Sequence, residues 1–406
     1  AQRHLYIPDT FGYNAALPQI MRLGGLDTFI TNKLWWNQSN PFPHTTFRWR
    51  GIDGSEVIGH NTPGQDYNAV NTPRELRRGE TNTAKRRAAV GVGAGKDAVP
   101  VRWMQPFGYG DGGGGPTARS IRYAQLSKGC EGLPAVRMST ATAFCDALHT
   151  DLAKIRAAGG DVPLWIGELY LELHRGTLTT QAWIKKANRY AEQRLRLAEL
   201  LISGAGETVS GEDRAALDRA WKLLLLQQFH DILPGSSIGW VYEDARRDFA
   251  EIERLVGGIV ERGVRLWAGK AESASPAADS GGRTGGETGG VVINPGRHAR
   301  RAVVERGGGL SLVEIAGLTA CGVDAARVDV GAPVEASADR LSNGVIEARL
   351  DERGRVVSLN RIGGRDVCTG RDGSPGALSD LALFEDRPIM WDAWDIDPTY
   401  EEKRVN

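Results

Sequence analysis

The stretch Leu5-Tyr6-Ile7-Pro8-Asp9-Thr10-Phe11-Gly12-Tyr13 joins a short apolar run to a carboxylate and a glycine. Tyr6 and Ile7 predict the end of a buried strand, and Gly12 permits a sharp turn after it. Asp9 would then lie at the carboxyl edge of a sheet, where α/β proteins commonly bind ligands. On this pattern alone, an aspartate that caps a turn is the more common interpretation.

Strand and helix patterns alternate from this stretch to about residue 160. Phe29-Ile30 predicts a second strand end, and Ala15–Leu23 predicts a helix that stops at two glycines. Thr72-Pro73 marks a helix start, because proline is tolerated in the first helical turn. A helix is also predicted for Thr140–Lys154. This alternation is typical of a parallel α/β domain.

The rest of the chain changes composition twice. Residues 161–270 carry three helical patterns and predict a three-helix bundle, with helices over Thr180–Ser203, Glu212–Ile232 and Tyr242–Trp267. Residues 271–290 are rich in Gly, Ser, Thr and Ala, which predicts a flexible linker. Residues 291–406 contain short strand patterns and predict the start of a β-sandwich.

Composition excludes several classes of protein. Lys plus Arg and Asp plus Glu each number 50 in 406 residues, so no basic field favours nucleic acid. No apolar run reaches the roughly 20 residues that a membrane span needs. The four cysteines are widely spaced and form no CxxC pair, which argues against a disulfide framework or a cysteine zinc site.

The segment Gln227–Ser237, QQFHDILPGSS, follows an apolar helical run. His230 and Asp231 are predicted to fall in the last turn of that helix, where the partial negative charge favours a cation. A histidine there can be a metal ligand, with Asp231 close enough to touch the same ligand or substrate. The alternative is a histidine that only satisfies free helix carbonyls.

A glycine run over Phe107–Thr117, FGYGDGGGGPT, encloses the single carboxylate Asp111. It lacks the GK[ST] ending of a phosphate loop. It follows the apolar residues Val99–Met104, which predict a strand. Backbone without side chains would let a bulky substrate approach Asp111, and a merely flexible loop is the alternative interpretation.

Two further features are suggestive. Glu168–Thr177 combines carboxylates with His174 and Arg175 before a turn, although a solvated entry to the following helix is an alternative. Aromatic residues and amides cluster early in the chain and suit a sugar, which offers C–H faces and hydroxyl edges. Core packing is the default explanation for any one of these rings: Trp35, Trp36, Phe42, Phe47, Trp49, Tyr67, Trp103 and Tyr109.

Taken in order, these segments resemble the α-mannosidases of glycoside hydrolase family 38. The resemblance rests on PDTFGY, KLWWNQSNPFPHTTFRWRGIDGSEV, GYGDGGGGPT, GELYLELHRGTLTTQA, QQFHDILPGSS and WDAWDID, which extend over nearly the whole chain. It implies a barrel-like catalytic α/β domain over residues 1–160, then a helical bundle, then β-domains. It also implies retaining hydrolysis of terminal α-linked mannose, with one zinc ion and a covalent mannosyl-aspartate intermediate.

The resemblance assigns roles to individual residues. Asp9 would be the nucleophile and a zinc ligand, and Asp111 the acid/base residue. His230 would be a second zinc ligand. Substrate contacts would come from the residues Phe11, Asp231, His174 and Arg175. Retention requires two carboxyl groups about 5–5.5 Å apart, which these two aspartates would supply.

One departure concerns the metal. The family's other two zinc ligands come from a His-x-Asp motif, and none precedes Asp9. We therefore expect the chain to be an internal fragment that can be inactive alone. A non-catalytic carbohydrate-binding protein with an incomplete site is the alternative function. Few cysteines favour a cytoplasmic location, and a homo-oligomer is possible.

Overall fold

The computed structural model describes residues 2–89, 102–206, 209–274, 290–306, 309–328, 334–370 and 373–405. The chain divides into two compact units. The first contains Ala1–Thr180, Pro234–Ser236 and Arg387–Asp397, and the second contains Gln181–Leu233, Ser237–Asp386 and Pro398–Asn406. The four-segment division stays a prediction, and the proposed linker lies largely outside the described residues.

A five-stranded sheet organises the first unit. Its strands in chain order are β1 (His4–Tyr6), β2 (Thr28–Thr31), β3 (Thr46–Arg50), β4 (Glu56–Asn61) and β5 (Leu164–Ile166). Their spatial order is β1-β2-β4-β3-β5. The helices of this unit are α1 (Leu17–Leu23), α2 (Pro73–Ala89), α3 (Ala118–Leu126) and α4 (Ala141–Ala157). The predicted alternation of strands and helices is confirmed for these residues.

Both faces of the sheet are buried, because successive strand residues point to opposite sides. Phe29 of β2 joins one apolar cluster with Phe47 and Trp49 of β3. Its neighbour Ile30 joins another cluster with Leu148 of α4. The continuous apolar run of β2 is therefore that of a strand covered on both sides.

The sheet is mixed, whereas the sequence pattern predicted a parallel one. The pairs β1/β2, β2/β4 and β3/β5 are parallel, and β3/β4 is antiparallel. The turn between β3 and β4 closes with a hydrogen bond from Gly51 N to Ser55 O of 2.9 Å. A connection this short joins only antiparallel strands, since a parallel pair needs a crossover of a dozen residues or more.

The strand predicted over Val99–Met104 is not found in the described part of that range. Residues 102–104 belong to no strand, and 99–101 lie outside the described residues. The main-chain N–H of Met104 donates to Nε2 of His60 at 3.3 Å. A side chain therefore takes the hydrogen bond that a neighbouring strand would need.

Three long helices share one core in the second unit. They are α5 (Ala182–Gly204), α6 (Gly211–Gln227) and α7 (Gly239–Ala274). Ala191, Leu195 and Ala198 recur at helical spacing on α5 and pack against α6 and α7. Ser210 caps α6 by accepting a hydrogen bond from Asp213 N at 3.0 Å.

The α6 helix ends earlier than its apolar pattern predicted. It stops at Gln227, so His230 and Asp231 lie in the turns after it rather than in its last turn. Here the N–H of Phe229 donates to Leu226 O at 3.1 Å, an i to i+3 bond that tightens the chain. Pro234 follows Phe229 by five residues and cannot continue a helix.

The regular elements in the rest of the second unit are mostly short strands. These strands, with one short helix, are β6 (Val291–Asn294), β7 (Arg300–Arg306), β8 (Gly309–Ile315), β9 (Thr319–Gly322), α8 (Val323–Ala326), β10 (Glu335–Ala336), β11 (Arg340–Ser342), β12 (Ile346–Leu350), β13 (Val356–Arg361), β14 (Leu383–Phe384) and β15 (Arg404–Val405). Strands β10 to β13 form an antiparallel sheet, and the others pair two by two. The β-sandwich stays a prediction. Among the described residues, every helix is too short or too polar to cross a bilayer.

Candidate active site

Asp9 lies three residues after β1, at the carboxyl edge of the sheet as predicted. Its side chain is 17% exposed and forms an ion pair with Lys33, whose side chain is 1% exposed. The second carboxylate oxygen, Oδ2, accepts a hydrogen bond from the Tyr67 hydroxyl at 3.1 Å. A buried ammonium group is tolerated only when a partner compensates its charge, and Asp9 is that partner.

The backbone after Asp9 turns sharply and joins a distant segment. Gly12 has φ +115°, a conformation that side chains disfavour. Tyr13 N then donates to Leu169 O at 2.9 Å, and Leu169 N returns the bond to Tyr13 O at 3.0 Å. The turn therefore pairs the Asp9 segment with the Glu168–Thr177 segment that the sequence had also singled out.

An aromatic cluster surrounds the Lys33–Asp9 pair. The Phe11 ring lies 4.4 Å from the His174 ring, centroid to centroid. The Lys33 ammonium lies 4.9 Å from the Phe11 centroid, 4.3 Å from that of Trp36 and 5.0 Å from that of Trp394. Desolvated cations over aromatic faces gain about 2 kcal/mol. The rings therefore help to keep the ammonium buried beside Asp9.

His174 is a neutral, buried member of this cluster rather than part of a solvated loop. Burial is the main cause that lowers its pKa to about 3, and the Lys33 charge lowers it further. Neither of its ring nitrogens has a hydrogen-bond partner among the described residues. The two nitrogens are therefore buried polar atoms within an otherwise aromatic cluster beside Asp9.

Arg175, whose contact with substrate stays a prediction, binds a distant part of the chain. Its Nη2 donates to the main-chain oxygen of Ile396 at 2.9 Å. The adjacent Gly176 N donates to Trp394 O, also at 2.9 Å. These two bonds hold the distant segment Arg387–Asp397 in the first unit.

Asp111 begins a short 3₁₀ turn, Asp111–Gly113, and is exposed. Asn68 holds it from two sides. The amide oxygen of Asn68 accepts from Gly110 N at 2.6 Å and from Asp111 N at 3.0 Å. The amide nitrogen donates to Asp111 Oδ2 at 2.9 Å. Asn68 thus anchors the glycine-rich loop at Asp111.

Adjacent residues connect the two candidate carboxylates. Tyr67 donates to Asp9, and the next residue, Asn68, donates to Asp111. The pKa of the Tyr67 phenol is raised by burial first, and then by the charges of Asp9 and Asp111. Both carboxylates therefore lie near the Tyr67–Asn68 pair, in one site.

His230 and Asp231 belong to the second unit. Their side chains are 30% and 38% exposed, and Nε2 of His230 lies 3.8 Å from an Asp231 oxygen. The Asp231 main-chain oxygen accepts from the Ser237 hydroxyl at 2.8 Å. Packing of the Phe229 ring against His230, at 4.1 Å between centroids, orients the imidazole. His230, the predicted metal ligand, and Asp231, the predicted substrate contact, thus lie in one ordered turn.

The described residues do not by themselves fit a zinc site. They contain no group of three or more His, Cys, Asp and Glu side chains that could hold a metal ion. Asp9 is the predicted ligand of the first unit, and the ammonium of Lys33 pairs with it. A positive charge in that position opposes a second cation unless further anionic ligands are supplied.

A separate cavity of about 770 Å³ lies in the first unit between α2, α4 and the chain after residue 102. Its lining is mostly apolar, with Trp103, Phe107, Met138 and Phe144 among the side chains. None of the predicted site residues lines it. This cavity is therefore separate from the candidate active site.

Several contributors were not recognised as site residues in the sequence. Asn68 was not singled out, and Lys33 and Trp394 were quoted only as parts of longer motifs. Trp36 and Tyr67 were grouped with rings that pack in the core. Phe42, Phe47 and Trp49 are core residues, as the default interpretation had it. No local pattern marks Lys33 as buried, because the polar residues Thr31 and Asn32 precede it.

Comparison with known proteins identifies the family of the chain. Residues 1–168 match the model of the glycosyl hydrolases family 38 N-terminal domain, and residues 172–266 match the alpha mannosidase middle domain. The chain belongs to glycosyl hydrolase family 38.

Individual relatives agree with the family assignment. The chain is 34% identical to "Alpha-mannosidase 2C1" of Mus musculus over 98% of its own length and 37% of that protein. It is 42% identical to "Alpha-mannosidase G" of Dictyostelium discoideum over 59% of its length and 20% of that protein. It therefore spans little more than a third of the first of these relatives.

A solved structure shares the fold. The crystal structure of an alpha-mannosidase from Enterococcus faecalis V583 covers 98% of this chain, and 50% of that protein is matched. The TM-score is 0.58 and the sequence identity is 16%. At that identity the likeness concerns the fold alone.

Proposed function

We propose that the complete gene product is a retaining α-mannosidase that removes terminal α-linked mannose from oligosaccharides. In this proposal Asp9 is the nucleophile and Asp111 the general acid and base. The observation that supports it most is that the consecutive residues Tyr67 and Asn68 hold these two carboxylates. Two carboxyl groups about 5–5.5 Å apart are the requirement for retaining glycoside hydrolysis.

The two environments suit two different roles. Asp9 is held in one orientation by an ammonium and a phenol, as a nucleophile must be for in-line attack. Asp111 is exposed and keeps one oxygen, Oδ1, beyond its bond to Asn68. It can therefore meet the leaving oxygen of the substrate.

The reaction then proceeds in two balanced steps. An Asp9 oxygen forms a bond to the anomeric carbon while the glycosidic C–O bond breaks, and Asp111 gives its proton to the departing oxygen. Water next loses a proton to Asp111 and displaces Asp9 from the anomeric carbon. Two inversions at that carbon give net retention.

The proposal includes one zinc ion, which would assist the reaction. Asp9 and His230 would be two of its ligands, and two more would have to come from a His-x-Asp motif outside this chain. Bound zinc would act as a Lewis acid that orients sugar hydroxyls. Phe11, His174, Arg175 and Asp231 would border the mannose.

The test is hydrolysis of 4-nitrophenyl α-mannoside by the complete gene product. We expect turnover, release of the α-anomer of mannose as the first product in proton NMR, and loss of turnover in a chelator. Initial β-anomer would overturn retention, and full activity after exhaustive chelation would exclude zinc. Binding of mannosides without any hydrolysis would instead support the carbohydrate-binding alternative.

A further inference from the structure

The motif Trp391–Asp397, WDAWDID, has no role in the proposed chemistry, yet it lies in the same unit as Asp9. More than 200 residues separate it from Gly176, which donates to Trp394 O at 2.9 Å. A Cβ added to Gly176 would approach that oxygen to 2.8 Å. Glycine at this position therefore permits the close approach of the two segments.

The motif brings two stacked indoles to the site. The Trp391 and Trp394 rings are nearly parallel, with centroids 5.0 Å apart and planes at 16°. Trp394 stacks in turn on His174 at 4.7 Å, and its centroid is 5.0 Å from the Lys33 ammonium that pairs with Asp9. Trp394 is thus a wall of the Asp9 pocket, and Trp391 is the next layer outward.

Trp391 is placed in a way that core packing does not explain. Trp391 remains 40% exposed although its ring stacks on Trp394. Its φ is +62°, a left-handed conformation that is rare for bulky residues. Its carbonyl oxygen accepts from both Trp394 N and Asp395 N at 2.8 Å, which fixes this conformation. Backbone strain of this kind is concentrated at functional sites.

We propose that the exposed face of Trp391 binds the second sugar of an α-mannoside, the one released with the leaving oxygen. This inference rests on the proposed function. The terminal mannose lies at Asp9 beside Trp394, and the next ring meets the outer indole. A flat apolar indole face matches the C–H face of a pyranose, while the hydroxyl edges of the sugar remain in water.

The test compares two substrates of the complete gene product that differ only in the leaving group. One is an α-linked mannobiose, and the other is α-mannosyl fluoride, whose leaving group has no ring. Trp391→Leu keeps an apolar side chain without a flat face, and Trp391→Phe keeps the flat face. We expect the leucine variant to raise KM for mannobiose about tenfold, and the phenylalanine variant to stay within about threefold of wild type. Turnover of α-mannosyl fluoride should change less than about twofold in both, because each variant leaves the Asp9 pocket intact.

The outcomes separate this inference from the proposed function. Equal losses on both substrates would mean that Trp391 only supports the Asp9 pocket, and equal behaviour of the leucine and phenylalanine variants would exclude stacking; either overturns the inference. A wild-type protein inactive on both substrates overturns the proposed function and the inference with it. Tyr190→Ala, which removes an exposed ring from α5, is the control and should change neither KM.

Discussion

The two candidate carboxylates, Asp9 and Asp111, are held in opposite ways within one unit. Asp9 is mostly buried, paired with a buried ammonium and surrounded by aromatic rings. Asp111 is exposed on a glycine loop and depends on the Asn68 side chain. The difference corresponds to what each must do, since a nucleophile has one target atom and an acid/base residue serves leaving groups of many shapes.

The glycine-rich loop that carries Asp111 has an unusual backbone conformation. Gly112, Gly113 and Gly115 have φ values of +79°, +67° and +65°, which side chains rarely adopt. No atom lies within 4 Å of a Cβ built on any of the three, so the conformation rather than space calls for glycine. The backbone beside Asp111 is therefore open to a bulky ligand.

The largest expected effect is that of Asp9→Asn. The amide cannot form the covalent bond to the anomeric carbon, so kcat should fall by roughly 10⁴-fold or more. Steady-state rates on 4-nitrophenyl α-mannoside measure it, with circular dichroism to show an intact fold. Retained turnover would reject Asp9 as the nucleophile.

Asp111→Asn should cost less, and the cost should depend on the leaving group. With a poor leaving group such as a sugar, loss of general acid catalysis should lower the rate of glycosidic cleavage roughly 10²–10⁴-fold. With 2,4-dinitrophenol, which needs no proton to depart, glycosylation should be nearly unaffected, and a burst of phenolate should precede slow deglycosylation. An equal loss of that first step for both leaving groups would assign the acid/base role to another residue.

Asn68→Ala tests whether the loop must be anchored. The substitution removes the bonds to Gly110 and Asp111 while leaving both carboxylates in place, so we expect a loss of about tenfold in kcat/KM. Asn14→Ala is a matched control, because the Asn14 amide also accepts a local main-chain bond, from Ala16, outside the site. Equal kcat/KM values for the two variants would show that anchoring by Asn68 does not contribute to catalysis.

The sequence predicted the position of Asp9 better than it predicted the residues that surround Asp9. A short apolar run followed by Asp9 and Gly12 is a local signal, and the strand end and the turn are both found. Lys33 carries no such signal, because its burial depends on pairing with a carboxylate 24 positions away. The parallel sheet predicted for the domain fails at the β3/β4 pair, because local periodicity does not encode which neighbour a strand pairs with.

The smallest expected effect concerns the fold rather than the site, and it separates acid inactivation from acid unfolding. Burial lowers the pKa of His60 on β4 from 6.5 to about 3. Below pH 6.5 this histidine is protonated in the unfolded chain but stays neutral in the folded chain. The free energy of unfolding therefore falls as the pH drops toward 3. Between pH 6.5 and 5 the loss from this residue is roughly 2 kcal/mol.

Urea unfolding monitored by tryptophan fluorescence at pH 7, 6 and 5 measures this effect. His60→Gln should be less stable than wild type at pH 7 and should lose less stability on acidification. His174, whose pKa is also about 3, remains in both proteins and cancels from the difference. Parallel pH slopes for the two proteins would show that His60 is not the group responsible.

The sequence by itself determined the alternating α/β beginning, the three long helices and the family, because periodicity, caps and ordered motifs are local properties. Only the tertiary structure decided that Lys33 is buried against Asp9, that Tyr67 and Asn68 hold the two carboxylates, and that Trp391–Asp397 returns to the first unit. Each of these depends on contacts between residues far apart in the chain. Their energies come from charge pairing and ring packing, which exist only once the chain has folded.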